Sequence, residues 1–173
     1  MKSIIVCTLL GLMINVSAVA APVFMSGEWA VEACKGWNAN KDLTEKLKKS
    51  GWVENNKGRP HKIMQIYRIE CENSPRVELH IADKDGKAMC VYGGWAKNDP
   101  ADLKKSVDYI MFAKDKNWAR MGDGRDGAMK AMMFGRLKFK GPKMEAMGNM
   151  GPFGGFLRLT GTVESDRSSC PSK

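Results

Sequence analysis

Apolar positions along this chain change period several times, and each change marks an element. Trp29, Ala33 and Trp37 recur at four-residue spacing, the stripe of an amphipathic helix. Ser26 is placed to cap that helix and Glu28 sits near its positive end. Asn38-Ala39-Asn40 interrupts, and Leu43 and Leu47 give a narrow seam to a second helix from about Lys41 to Ser50, ended by Gly51. After a polar loop over 55–60 the period falls to two. Ile63, Tyr67, Ile69 and Cys71 share one face of a strand; Val77, Leu79 and Ile81 alternate on the next. Asp85-Gly86 predicts a two-residue hairpin turn into a third strand, Ala88 to Trp95. Asn98-Asp99-Pro100 opens a loop or short helical turn, Val107 to Ala113 reads as a fourth strand, and Asp115 to Met121 as a helical turn before a glycine-rich bend.

The stretch Gly127 to Gly141 holds two periods side by side. Ala128, Met129, Met132 and Met133 recur at i, i+3 and i+4 on one stripe of a short helix, which Gly135 stops because glycine takes the left-handed conformation without a Cβ clash. Arg136-Leu137-Lys138-Phe139-Lys140 then alternates charge and apolar bulk, so Leu137 and Phe139 face inward and three cations face water. The resulting order is helix pair, three-stranded meander, strand, helices, strand, terminal helix. It predicts an α+β fold: a five-stranded, mainly antiparallel sheet with helices packed on one face.

The helix–Gly–strand–Gly unit, followed by Pro142-Lys143-Met144-Glu145-Ala146-Met147, resembles the late segment of the sterol carrier protein type 2 (sterol-transfer) domain family. The resemblance extends upstream through Val107 to Phe112 and Asp115 to Met121, over roughly the last two thirds of the chain. It implies that the sheet's inner face and the late helices enclose an apolar tunnel for a lipid or other hydrophobic ligand, with no catalytic role and no cofactor. Mapped onto this chain, the implied lining is Phe112, Trp118, Met121, Met129, Met132, Met133, Leu137, Phe139, Met144 and Met147. An acyl, sterol or quinone-like ligand fits that expectation. The chain departs from the family pattern after Met150, where Gly151-Pro152-Phe153-Gly154-Gly155-Phe156 stands in place of a plain terminal helix. The domain division that follows is a leader over 1–20, a helical extension over 21–60, a sterol-carrier-like domain over 61–161 and a polar tail over 162–173.

Composition changes this picture in two ways. Lys2, the apolar run Ile4 to Leu12 and the small-x-small site Ala18-Val19-Ala20 predict a cleaved signal peptide, hence a periplasmic or secreted protein. The formal charge of +9 falls to +8 without Lys2. In an exported protein that excess points to anionic lipid headgroups, or simply to solubility, rather than to nucleic acid. Arg136, Lys138 and Lys140 share one strand face and, with Lys143 and the Lys46 to Lys49 cluster, form the expected membrane-facing set.

Of five cysteines, Cys7 falls in the leader and Cys34, Cys71, Cys90 and Cys170 remain, an even number suited to disulfides. Counting outward from Asp85-Gly86 pairs Lys84 with Lys87 and sets Ile81 opposite Cys90. Matching apolar faces across the preceding turn sets Cys71 opposite Val77 and Tyr67 opposite Ile81. That register separates Cys71 and Cys90 by roughly 16 Å, too far for a bridge. Cys34–Cys71 is the preferred pair, leaving Cys90 buried or joined to Cys170.

Thirteen methionines are unusual for a chain of this length, and eight of them crowd the stretch from Met111 to Met150. Unbranched thioethers let an apolar groove reshape around different guests, although an ordinary core can use methionine as well. Met144-x-x-Met147-x-x-Met150 could hold Cu(I), but His61 and His80 lie far from it in sequence and Gly148 and Gly151 spoil its helix. No nucleophile elbow, metal-binding His pair or close acidic pair appears, and Asp123-Gly-Arg-Asp126-Gly lacks the remaining acidic positions of a calcium loop. Two functions therefore stand at this level: a carrier of a hydrophobic ligand, and an accessory domain that contacts an exported enzyme or membrane complex.

Overall fold

The structure, a computed structural model, describes residues 20–71, 73 and 75–173. The expected leader, except Ala20, lies outside the described residues. Helix α1 spans Gly27–Ala39, and Ser26 caps it by accepting from Trp29 N at 3.2 Å. A π-helical segment, Asp42–Lys46, runs into a single α turn, Leu47–Lys49; together they form α2. The strands are β1 Lys62–Arg68, β2 Val77–Lys84, β3 Lys87–Trp95, β4 Tyr109–Ala113 and β5 Lys138–Lys140. Between and after the last two lie α3 Asp115–Gly122, α4 Ala128–Met133, α5 Lys143–Gly148 and α6 Met150–Thr162. Among the described residues no helix is long and apolar enough to cross a membrane.

One five-stranded sheet, ordered β3-β2-β1-β4-β5, carries the helices on one face. Its central pair β1–β4 is parallel and the other pairs are antiparallel, so the sheet is mainly antiparallel as the pattern predicts. Parallel neighbours need a crossover, which β2 and β3 supply. Asp85 and Gly86 both take positive φ in the tight turn, and Lys84 pairs with Lys87 and Ile81 with Cys90 as counted. Trp29, Trp37, Leu43 and Leu47 share the core formed by Met64, Ile66, Leu79 and Met111, so 21–60 and 61–161 are packed as one body.

Strand β1 corrects the expected facing. Met64 and Ile66 enter the helix-side core, whereas Ile63 and Tyr67 pack with Leu103, Ile110 and Phe112 on the opposite face. The apolar pair is flanked on its own face by Lys62 and Arg68, both buried, and these charges made the inner face look like the outer one. The register with β2 shifts accordingly: Ile66, not Cys71, stands opposite Val77, and Lys62, not Tyr67, opposite Ile81.

The cysteines follow from that geometry. Cys34 bonds Cys90 and Cys71 bonds Cys170, with Cα separations of 5.4 and 5.6 Å. Cys71 and Cys90 are unbonded to each other as argued, but the preferred Cys34–Cys71 pair is replaced. Cys71 lies beyond the end of β1, in the turn, where the tail reaches it. Helix α1 instead meets β3, because Gly93 admits it: a Cβ there would stand 2.2 Å from the Ala30 carbonyl oxygen and 2.7 Å from Cys34 Cβ.

Helix α6 is a second correction. The Gly-Pro-rich run that breaks the expected pattern forms the start of a continuous helix. Pro152 falls in its first turn, where its missing N–H removes no intrahelical bond. Phe153, Phe156, Leu157 and Thr160 lie along its buried side. The tail beyond it is tethered by Cys170 and held further along its length: Asp166 exchanges backbone hydrogen bonds with Pro22 and Phe24, and Arg167 pairs with Asp115 at 2.6 Å.

Candidate functional site

At the β4–β5 end of the sheet the helices close over an apolar seam. Met111 and Phe139, paired across β4 and β5, form its floor with Leu137. Ala128 and Met132 of α4, Ala146 of α5, and Met150, Phe153 and Leu157 of α6 form its cover. Every lining residue is apolar. The space between them is about 10 Å³, at the lower limit for one water molecule. The expected tunnel is therefore not open; the structure shows a filled seam.

The expected lining residues separate into three groups. Met132, Leu137 and Phe139 line the seam. Met129, Met133, Met144 and Met147 lie on the outer sides of α4 and α5, with Met133 and Met144 72% and 79% exposed. Helix α4 buries Ala128 and Ala131, small residues that let its backbone lie close to its neighbours and turn much of the methionine stripe outward. Trp118 and Met121 are buried in the same core on α3; the Trp118 Nε1 donates to the Tyr67 carbonyl at 3.3 Å, while the hydroxyl of Thr160 on α6 donates to the Trp118 carbonyl at 3.1 Å. Phe112 points to the other face, where its ring stacks on Tyr67 with centroids 4.8 Å apart. The missed residues Phe153 and Leu157 carry a four-residue spacing that the surrounding glycines obscure. Met111 alternates with Tyr109 and Ala113 on the inner face of β4.

One end of the seam is polar. Tyr109 packs its ring on Phe139 and Phe153, each with centroids 5.4 Å away. Its hydroxyl accepts from Trp52 Nε1 at 2.8 Å and donates to Glu145 Oε1. Lys62, wholly buried, donates from Nζ to Glu145 Oε1 at 2.5 Å and to the Trp52 carbonyl at 3.0 Å. It also lies 4.4 Å from the Trp52 ring centroid. Asn55 Nδ2 donates to Glu145 Oε2 at 2.5 Å. Burial lowers the Lys62 pKa, and the hydrogen bond and charge of Glu145 oppose that. Burial, followed by the Glu145 hydrogen bond and charge, pushes the Tyr109 phenol well up, so it remains a proton donor.

Cations surround the exposed methionines unevenly. Arg136 is committed to Asp126, with Nη1 2.8 and 2.7 Å from its two carboxylate oxygens, and Arg120 and Lys130 share that carboxylate. Lys138, Lys140 and Lys143 stay exposed. Met144 and Met147 face solvent whereas Met150 lines the seam, so the thioethers of that run do not converge as a soft-metal site would require. Among the described residues, no cluster of three or more His, Cys, Asp or Glu is arranged to hold a metal ion.

Comparison with known proteins places this geometry. The model of the SCP-2 sterol transfer family matches residues 39–154, which takes in the whole sheet, α5 and the first turn of α6. No curated protein matches the chain at the sequence level. Among solved structures, a sterol carrier protein 2 crystal structure shares the fold at 14% identity and a TM-score of 0.51, covering 80% of this chain and 98% of that one. A conserved hypothetical protein of Thermus thermophilus, described as a candidate sterol carrier protein, does so at 16% identity and a TM-score of 0.50, covering 87% and 98%. With the match running through the strands and helices that enclose the seam, the chain belongs to the SCP-2 sterol transfer family.

Proposed function

We propose that this protein is an exported, non-enzymatic carrier that takes the apolar part of a lipid or similar hydrophobic molecule into the seam beneath α4, α5 and α6. The observation that carries the reading is a seam lined wholly by apolar side chains and covered in part by two six-residue helices, α4 and α5, beside the longer α6. Filling it with an acyl chain is worth about 0.8 kcal/mol per methylene, enough to displace the flexible Met132 and Met150. The polar groups at its end are bonded to one another, which suits holding a guest better than transforming it.

Export accords with the N-terminal leader and with two disulfides, bonds that persist in oxidising compartments. Exposed Met133, Phe134, Met144 and Met147, with Lys138, Lys140 and Lys143, suit reversible contact with an anionic bilayer during loading. Arg136 contributes less than the strand pattern implies, because Asp126 neutralises it.

Native mass spectrometry of the purified protein tests the carrier reading. A co-purified or added lipid retained at one-to-one stoichiometry is the expected result. Failure to retain any fatty acid, sterol, quinone or phospholipid would favour the accessory-domain reading.

A further inference from the structure

Lys62 occupies a position on the inner face of β1, in line with Met64 and Ile66, where an apolar residue would ordinarily stand. Among the described residues its carboxylate partner is Glu145 of α5, a six-residue helix whose one buried side chain is Ala146. The three donors to that carboxylate come from elsewhere: Lys62 from β1, Tyr109 from β4 and Asn55 from the loop after α2. The cradle is thus built on the sheet, while its occupant rides on the cover. Its position next to Phe139 and Phe153 makes it the polar end of the apolar seam.

We infer that Lys62, Tyr109 and Asn55 form a carboxylate-binding site for a ligand with one acidic head and an apolar tail, the class of the fatty acids, and that Glu145 stands in for the ligand head until displaced. The inference rests on the reading of the seam as a lipid site. Exchange chemistry sets the selectivity. An incoming carboxylate replaces Glu145 and leaves the buried ammonium paired, whereas a neutral head that displaced Glu145 would leave Lys62 buried and unpaired, which is strongly unfavourable. Glu145, already partly open to solvent, moves into water where its charge is well solvated.

Isothermal titration of the purified protein with dodecanoate and with dodecanol, both below their aggregation limits, tests this. Dodecanoate is expected to bind about tenfold or more tightly than dodecanol, the range of a charge-assisted hydrogen bond. Lys62→Met should abolish that preference while still binding dodecanol. Glu145→Gln should bind dodecanoate more tightly than wild type and gain more thermal stability from dodecanoate than from dodecanol. This last measurement decides the matter if Lys62→Met does not fold. Equal affinity of the wild type for acid and alcohol overturns the carboxylate site and leaves the carrier reading standing. A preference that survives in folded Lys62→Met also overturns it. Binding of neither probe overturns both.

Discussion

Replacing Glu145 by alanine isolates the energetics of the buried pair. The substitution leaves Lys62 wholly buried with one hydrogen-bond acceptor, the Trp52 carbonyl at 3.0 Å, and the Trp52 ring centroid at 4.4 Å. Removing one member of a buried pair costs about 3–5 kcal/mol. The lower end applies, since the Glu145 side chain is 16% exposed and these two contacts remain. At about 2–4 °C per kcal/mol for a chain of this size, a loss of about 3 kcal/mol lowers Tm by roughly 6–12 °C.

The same variant has a distinct pH signature. Burial already holds Lys62 below the ordinary lysine value of 10.5, and Glu145 is the principal influence raising it. Without Glu145 the folded-state pKa falls further, while the unfolded value is unchanged. Between the two the unfolded chain binds more protons than the folded one, so stability rises with pH by up to about 1.4 kcal/mol per unit. The deficit of Glu145→Ala relative to wild type should therefore shrink from about pH 7 to about pH 10. Urea unfolding followed by tryptophan fluorescence at each pH measures it. A deficit that stays constant across that range, or is negligible near neutrality, would refute the reasoning.

Three further outcomes follow from placement. Met132→Asp puts a carboxylate into the seam and should cost several kcal/mol and most fatty-acid binding, whereas Met133→Asp, at an exposed position, should stay within about 0.5 kcal/mol of wild type; thermal melts and a fluorescent fatty-acid assay compare them. Non-reducing peptide mapping should yield Cys34–Cys90 and Cys71–Cys170, and removing either bridge should cost about 2–4 kcal/mol in urea unfolding. Charge reversal at Lys138, Lys140 and Lys143 should weaken co-sedimentation with anionic vesicles and flatten its salt dependence, while Arg136→Glu should disturb the Asp126 cluster and lower stability; equal binding to neutral and anionic vesicles would reject the electrostatic part.

Elements whose local chemistry agrees with their packing were readable from the residues alone. Ser26, Asp85-Gly86 and Gly135 each act as their side chains or backbone freedom dictate, and Val77, Leu79 and Ile81 face the core. Three features resisted. The inner face of β1 carries two charges whose partners, Glu145 for Lys62 and the tail carbonyl of Ser169 for Arg68, lie far along the chain. Helix α6 begins in residues of poor helix propensity, and packing of Phe153 and Phe156 against Trp52 and Trp37 outweighs that propensity. The methionine stripe of α4 was placed by period alone, yet a six-residue helix covers little area and Ala131 takes the inner position. In each case a long-range contact decides between faces that the local pattern leaves nearly equal. For the site, Met132, Leu137 and Phe139 were legible, but the Lys62–Tyr109–Glu145 cluster was not, because charge on a strand reads as exposure.

What holds the cover shut then bears on how a ligand enters. The apolar contribution of α5 is small, since Ala146 is its one buried side chain. Its attachment comes mainly from Glu145, bonded to Lys62, Tyr109 and Asn55. On the carrier reading, the barrier to loading is set by breaking that carboxylate's bonds rather than by parting the apolar faces. Glu145→Ala should therefore be less stable than wild type and yet load faster, an opposition that a purely structural role would not produce. With roughly 3 kcal/mol removed from the closed state, and part of that loss expressed in the opening step, the loading rate should rise about tenfold. Stopped-flow mixing with a fluorescent alcohol-headed chain reads this step without involving the Lys62 charge preference for acids. If the variant is destabilised but loads at the wild-type rate, opening proceeds elsewhere, and α4 or the first turn of α6 becomes the moving part.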